Sequence, residues 1–279
     1  MHTDYQTNPT YQNATETALS TPEILEMILL QVDLRTLLTS TQRVCKFWTS
    51  TIQTSPLIQE ALFFKPTSNT QSFNGRVIYN PLLAQAFPLA TPPKPKIKMA
   101  YRYHEMDMIK NQKKHQYMRK EASWRRMLLR QPPAYNVSFF IQGDYRLLNG
   151  NGNGDREGLR MGPFFEMFVL SEELSWHDCE IIWKLDADSR MYDINYEAGP
   201  YARTEWLDMF TRAMSESDVM ILRYEGFQFD DFGEVPYSLP DAIKDQIKEA
   251  YGKVDGDYVP GGPEFNLKNP NLNDWEQEF

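Results

Sequence analysis

The chain of 279 residues has few of the residue types that cross-link small proteins or bind metals. It contains two cysteines, Cys45 and Cys179, which lie far apart in sequence, and four histidines. Such cysteines make neither a disulfide framework nor the paired spacing of a zinc site. We therefore expect no disulfide bond and a reducing, intracellular location in the cytoplasm, the nucleus or both.

Long apolar runs are missing as well. No stretch approaches the roughly 20 apolar residues of a membrane span, and the N-terminus lacks the basic start and apolar middle of a signal peptide. No internal period of roughly 20 to 50 residues indicates a repeat protein. These absences predict a protein without a membrane partner and without the repeat surfaces that many recognition proteins use.

Motifs for catalysis and cofactor binding are also lacking. The histidines show no HExxH pattern, no G-x-S-x-G sequence occurs, and the glycines of NGNGNGDREG have no lysine of a phosphate loop. Asp186 and Asp188 could offer oxygen ligands, but Met191 stands where a calcium loop needs glycine. We expect no metal, no cofactor and no catalytic residue, so the chain is predicted not to be an enzyme.

The net charge of -9 conceals a strong polarity along the chain. Residues 94–130 contain 12 Lys and Arg against 3 Asp and Glu, whereas residues 155–279 contain 11 against 28. The basic stretch, in which aromatic residues are interleaved, could bind nucleic acid through phosphate contacts and base stacking. It could instead lie against the acidic remainder of the same chain. The charge count favours this second interpretation, so we do not expect a nucleic-acid partner.

Residues 19–64 have the pattern of four short amphipathic helices. A cap residue before Pro22 begins the first, Asp33 can cap the second, RVCKFW lies in the third and Ser55 precedes the fourth. So small a cluster, without metal or disulfide, can enclose only part of its apolar surface. We expect the segment to bury the remainder against another protein.

The rest of the chain alternates between helical and extended patterns. Trp124, Met127 and Leu128 recur at helical spacing before Pro132, and further helices are predicted from about Pro163, in TEWLDMFTRAMS and in LPDAIKDQIKEAYG. Apolar runs in AYNVSFFIQ, DCEIIWKLD and SDVMILRYEG predict strands. The fold class is therefore α+β or α/β, with a bundle of short helices followed by a small mixed domain.

Composition divides the chain into five segments. They are a disordered polar leader at 1–18, the helical segment at 19–64, a proline-rich linker at 65–94, a mixed helix and strand domain at 95–226, and an acidic, loosely ordered tail at 227–279. Prolines interrupt any long helix in the linker, which therefore separates the helical segment from the mixed domain.

The helical segment resembles an F-box, the module by which substrate receptors of SCF-type cullin-RING ubiquitin ligases hold the Skp-family adaptor. The resemblance covers about 45 residues and rests on five parts in order. They are Pro22-Glu23-Ile24-Leu25, Ile28-Leu29, Asp33-Leu34 with Leu37-Leu38, Val44-Cys45-Lys46 with Trp48, and Ser55-Pro56-Leu57. The ALFF ending and the later SWRRMLL are similar to F-box proteins of filamentous fungi.

The resemblance implies a surface that binds the Skp-family adaptor. The residues that it places at or just beneath this surface are Pro22, Ile24, Leu25, Ile28, Leu34, Leu37, Leu38, Val44, Cys45 and Trp48. A charged residue at Leu37 or Leu38 is then predicted to abolish adaptor binding.

The resemblance also implies what the chain does as a whole. It would reach a cullin through the adaptor, while residues 95–226 hold a protein substrate that the sequence does not identify. Two other interpretations stay open. One is an adaptor-bound scaffold that acts without ubiquitination, and the other is an unrecognised enzyme in the mixed domain.

Overall fold

The computed structural model describes residues 14–68, 76–84, 86–87, 114–141, 144–149, 158–170, 179–184, 203–223, 241–251 and 266–268. The protein is mixed helix and strand, as the sequence predicts. It divides into two compact units, Met1–Lys65 and Pro66–Phe279. The first unit ends at Lys65, one residue after the predicted end of the helical segment.

The N-terminal unit is built from short helices. They are α1 (Ala14–Ser20), α2 (Pro22–Leu29), α3 (Leu34–Thr39), α4 (Lys46–Thr54) and α5 (Pro56–Ala61), with a 3₁₀ turn at Thr41–Arg43 before α4. Helices α2 to α5 correspond to the four that the sequence predicts, but α4 begins at Lys46, so the first half of RVCKFW precedes it. Helix α1 begins within the segment predicted to be disordered, and the Thr17 carbonyl at its end accepts hydrogen bonds from the hydroxyls of Ser20 and Thr21.

Side-chain caps fix where two of these helices begin. The Asp33 carboxylate accepts a hydrogen bond from the Thr36 N–H (2.9 Å), and bonds from Thr36 lower the pKa of Asp33. The Ser55 hydroxyl accepts from the Ile58 N–H (3.1 Å) and donates to the Glu26 carboxylate. Ser55 therefore caps α5 and ties it to α2.

The core of the N-terminal unit lies between α2, α3, α4 and α5. Its fully buried apolar side chains are Leu25, Leu29, Leu37, Ile52, Ile58 and Leu62. Helix α2 packs against α4, and α4 packs against α5. Because Leu25 and Leu29 are four residues apart, they lie on one face of α2, which is the face that points inward.

A five-stranded mixed sheet forms the centre of the C-terminal unit. Its strands are β3 (Asn136–Ile141), β4 (Asp144–Asn149), β5 (Cys179–Trp183), β6 (Val219–Arg223) and β7 (Asn266–Lys268), and their order is β5-β6-β3-β4-β7. Strands β3 and β6 are parallel, and the other neighbours are antiparallel. A separate pair joins β1 (Ile78–Tyr79) to β2 (Arg130–Gln131).

The described residues of the C-terminal unit also form helices. They are α6 (Pro81–Ala84), α7 (Lys114–Tyr117), α8 (Met161–Leu170), α9 (Arg203–Glu216) and α10 (Asp241–Ala250), with a 3₁₀ turn at Ser123–Arg126. Helix α9 packs on β3, β4 and β6. The successive side chains of Val219, Met220 and Ile221 are all buried, so both faces of β6 are covered.

The prediction of a helix through Trp124 and Leu128 is wrong. Ser123–Arg126 form a single 3₁₀ turn, and the chain is extended at Met127. The Met127 carbonyl accepts a hydrogen bond from the N–H of Met161 (2.8 Å), a partner outside the segment. This long-range bond replaces a helical one, which the local spacing of apolar residues cannot reveal.

The C-terminal unit starts at Pro66, whereas the sequence predicts a linker at 65–94. Within that stretch, buried Asn80 donates a side-chain hydrogen bond to the Leu128 carbonyl (3.0 Å). Phe87 is also buried, among three aromatic rings whose centroids lie 4.7 to 5.6 Å away. Both residues belong to the core: Asn80 provides a hydrogen bond to a backbone carbonyl, and Phe87 packs among aromatic rings.

Two described parts of the acidic segment 227–279, residues 241–251 and 266–268, form a helix and a strand, whereas the sequence predicts a loosely ordered tail. Helix α10 packs against α8 with Ile247 buried, and β7 pairs with β4 so that Leu267 lies opposite Leu148. The mixed domain predicted at 95–226 therefore continues into this segment, because its helix buries an apolar side chain and its strand completes backbone pairing.

Tyr251, which follows α10, holds that helix in place. Its ring centroid lies 3.8 Å from Cζ of Arg125, whose guanidinium also pairs with the Glu166 carboxylate. The Tyr251 hydroxyl donates to the Tyr117 carbonyl (2.8 Å). Burial raises the pKa of Tyr251 to about 12, although the Arg125 charge opposes the shift.

We expect the free energy of unfolding to fall between about pH 10 and pH 12 because of Tyr251. Over that range the folded state keeps the phenolic proton and the unfolded state loses it, so rising pH favours unfolding. Tyr251→Phe should remove the part of this pH dependence that is due to Tyr251. Urea denaturation of both proteins at a series of pH values measures it, since the other tyrosines contribute equally to each. Identical pH dependence in the two proteins would contradict the expectation.

Candidate partner-binding surface

Among the side chains that the structure describes, the large apolar ones that are exposed lie mainly on the N-terminal unit. Seven large apolar side chains are exposed among the residues that the structure describes. Six of them belong to this unit, with exposed fractions between 38% and 68%. These six, called here the exposed apolar set, are Ile24, Met27, Ile28, Val44, Phe47 and Leu57. The seventh is Ile78 of β1. A concentration of this kind is typical of a surface that another molecule covers.

Helix α2 is apolar on two sides. Its inward side carries Leu25 and Leu29, and Glu26 on one flank is bonded to the cap of α5. Three members of the exposed apolar set, Ile24, Met27 and Ile28, are spaced three and four residues apart and therefore form a stripe on the opposite flank. The helix thus uses one apolar face for the core and leaves a second one exposed.

The start of α4 contributes a second apolar group. Val44 and Phe47 are exposed and lie three residues apart, and the free Cys45 at the helix cap is exposed between them in sequence. Trp48 is half-buried, because it shares a helix face with the buried Ile52. The sequence signature around RVCKFW is therefore mostly at the surface.

The ten residues predicted for the surface fall into three groups. Pro22, Ile24, Ile28, Val44 and Cys45 are exposed, Leu34, Leu38 and Trp48 are half-buried, and Leu25 and Leu37 are fully buried. The two fully buried leucines belong to the core of the unit. A charge at Leu37 would therefore unfold the unit, and the loss of binding predicted for it would not identify a contact.

Three members of the exposed apolar set were not among the predicted residues. They are Met27, Phe47 and Leu57. A signal for Met27 is present in the sequence, because PEILEMILL is apolar at six of its nine positions and a helix can turn only one face inward. Phe47 and Leu57 follow helix starts, where spacing alone does not distinguish a core position from a surface one.

Two arginines of the basic stretch have acidic partners within the C-terminal unit. Arg125 pairs with Glu166, and Arg130 donates to the Asp218 carboxylate at 2.8 Å. Both arginines come from the basic stretch and both acids from the acidic part of the chain. At these two positions the opposite charges neutralise each other within the unit.

Across the described ranges, no group of three or more His, Cys, Asp and Glu side chains could hold a metal ion. In those ranges no helix has both the length and the apolar character to cross a membrane. Asp186, Asp188 and the glycines of NGNGNG lie outside the described residues.

Comparisons of the chain with protein-family models, with curated proteins and with solved structures give no significant match. The F-box resemblance therefore rests on the order of the motif residues.

Proposed function

We propose that the N-terminal unit is an F-box that docks on a Skp-family adaptor and that the C-terminal unit presents a protein substrate to an SCF-type ubiquitin ligase. The observation that carries the proposal is the exposed apolar set. Residues that match the F-box motif, namely Ile24, Ile28, Val44 and Leu57, are exposed on the same unit as the additional apolar side chains Met27 and Phe47.

The energetics favour a protein partner. Full burial of a large apolar side chain contributes roughly 1.5–3 kcal/mol, so covering six that are about half exposed would contribute on the order of 5–9 kcal/mol. A micromolar complex requires about 8 kcal/mol in total. The exposed apolar set could therefore supply much of the binding free energy, with further polar contacts offsetting the entropy cost of association.

The charges beside the apolar groups indicate which charges the partner should carry at the edge of its binding groove. Exposed Arg43 and Lys46 flank Val44 and Phe47, which makes this side of the surface basic. A partner with an apolar groove and acidic residues at that edge would be complementary in both respects. Helix-in-groove docking with anchors spaced three and four apart is a common mode of recognition.

The function then follows from proximity. A substrate held by the C-terminal unit would be kept near the ubiquitin-charged enzyme of the ligase, which turns a bimolecular encounter into an effectively intramolecular one. The chain would need no catalytic residue of its own for this role, and the chemistry would take place in another subunit.

Size-exclusion chromatography of the full chain with a purified Skp-family adaptor tests the proposal. We expect a stable complex of the two, which then takes up the cullin. Absence of any complex would overturn the F-box assignment. A complex with the adaptor that excludes the cullin would instead indicate a scaffold that acts without ubiquitination.

Cys45 provides a direct footprint of the docked surface. Its thiol is exposed in the free protein, between Val44 and the start of α4. We expect a maleimide to alkylate Cys45 about tenfold more slowly in the adaptor complex, since a covered thiolate cannot react. Peptide mass spectrometry measures the rate of alkylation at Cys45. The Cys45→Ser protein lacks this modification and so identifies its signal. Unchanged alkylation in a saturated complex would place the interface elsewhere.

A further inference from the structure

Thr21 stands at the junction of α1 and α2, next to the exposed stripe of α2. Its backbone is extended (φ -90°, ψ 116°), and its side chain makes no cap bond to α2. The hydroxyl instead donates to the Thr17 carbonyl of α1 (2.8 Å), and Thr21 as a whole is half-buried. The residue that follows, Pro22, is also exposed.

The chain around Thr21 can open at low cost. Residues 14–24 contain no buried side chain, and the first buried one is Leu25. Helix α1 has seven residues, which is below the length at which an isolated helix is stable in water. An enzyme that needs an extended substrate could therefore bind this stretch without unfolding the core of the unit.

The sequence contains three hydroxyl residues that precede proline: Thr21, Ser55 and Thr91. Ser55 is buried and its hydroxyl makes two hydrogen bonds, so an enzyme could not reach it in the folded unit. Thr91 lies outside the described residues. Of the two such hydroxyls that the structure describes, half-buried Thr21 is thus more accessible than buried Ser55.

We propose that Thr21 is a phosphorylation site for a proline-directed serine/threonine kinase and that a phosphate there weakens docking of the exposed apolar set. The second half of this inference rests on the proposed function. In the reaction, the Thr21 oxygen attacks the γ-phosphorus of ATP, the bond from that phosphorus to the bridging oxygen breaks, and ADP leaves. The hydroxyl proton passes to a base of the kinase.

The phosphate would act oppositely on the two helices that meet at Thr21. It replaces the hydroxyl donor by an acceptor of about two negative charges, which faces the Thr17 carbonyl at the negative end of α1. The same charge lies at the positive end of α2, whose first N–H groups have no side-chain cap. We therefore expect α1 to melt and α2 to persist.

The same phosphate would also stand at one end of the apolar stripe. Thr21 precedes Ile24 by three residues, which places it on the flank of α2 that carries Ile24 and Ile28. Seating that flank in an apolar groove would require removing water from the phosphate, which is costly. We expect adaptor affinity to fall about tenfold or more.

Phosphorylation itself is tested without the adaptor. The full chain carrying Thr91→Ala is incubated with a recombinant proline-directed kinase and ATP, and peptides are mapped by mass spectrometry. We expect phosphate on Thr21, absent from Thr21→Val and much reduced in Pro22→Ala, with Ser55 unmodified. Faster hydrogen exchange across residues 14–20 should follow modification. Lack of phosphate on Thr21 would overturn the site, whatever the adaptor does.

The effect on docking is measured separately, by titrating the adaptor against unmodified, phosphorylated and Thr21→Val chains. We expect only the phosphorylated chain to bind about tenfold more weakly, since Thr21→Val removes the hydroxyl without adding charge. Equal affinity of phosphorylated and unmodified chains would refute the regulatory effect. Failure of the unmodified chain to bind would count against the proposed function and would leave the mapped site intact.

Discussion

Replacing Ile24 and Met27 together by aspartate is expected to weaken adaptor binding by about a hundredfold or more without unfolding the N-terminal unit. Both side chains are exposed on the flank of α2 that faces away from the core. Binding would bury two carboxylates in an apolar groove, which removes favourable contacts and adds a desolvation cost. Isothermal titration of the adaptor into each protein measures the change in affinity.

Two matched substitutions separate docking from folding. Ile78→Asp changes an exposed apolar residue of similar size in the C-terminal unit and should leave adaptor affinity unchanged. Leu25→Asp puts a charge into the core of the N-terminal unit and should abolish both folding and binding. If Ile24→Asp with Met27→Asp binds as tightly as the unmodified chain, this flank of α2 does not contact the adaptor.

The second large effect is expected in the C-terminal unit, where Asp218→Ala should lower the free energy of unfolding by about 3–5 kcal/mol. The Asp218 carboxylate accepts hydrogen bonds from Arg130 (2.8 Å) and from the N–H groups of Tyr135 (2.8 Å) and Asn136 (3.2 Å). The Arg130 side chain is only 7% exposed, so its charge would be left buried and unpaired.

Glu216→Ala provides the control for this substitution. Glu216 pairs with Arg212 one turn away on α9 (3.2 Å), where both side chains are well exposed. Loss of such a surface pair should cost less than about 0.5 kcal/mol. Urea denaturation compares the two variants, and hydrogen exchange in β3 and β6 locates the weakened region. An Asp218→Ala protein as stable as Glu216→Ala would show that this carboxylate does not stabilise the start of β6.

Elements with strong local signals were predicted correctly. Helices α2 to α5, α9 and α10 have apolar residues at helical spacing, with side-chain caps at α3 and α5, and β3, β5 and β6 contain runs of apolar residues. Elements that depend on distant partners were not predicted. Strand β4 was not predicted, and neither was the three-residue strand β7, which reaches β4 from more than a hundred residues away in sequence and has no local pattern of its own.

The candidate surface was predicted only in outline. Spacing in α2 identifies Ile24, Leu25 and Ile28 as a single apolar group, whereas the fold turns Leu25 inward and leaves the other two exposed. Because the helix is apolar on two sides, its sequence is compatible with either side facing the core. The packing of α4 and the bond between Glu26 and Ser55 determine which side it is.

The sequence by itself determined that the N-terminal segment forms short helices, where α2, α3 and α5 begin, and that these helices carry more apolar side chains than so small a unit can enclose. These properties depend on neighbouring residues, through caps and helical periodicity. Only the tertiary structure decided which apolar side chains are covered and that the proline-rich and acidic segments complete the C-terminal unit. Burial and strand pairing are contacts between distant residues, and local sequence does not contain them.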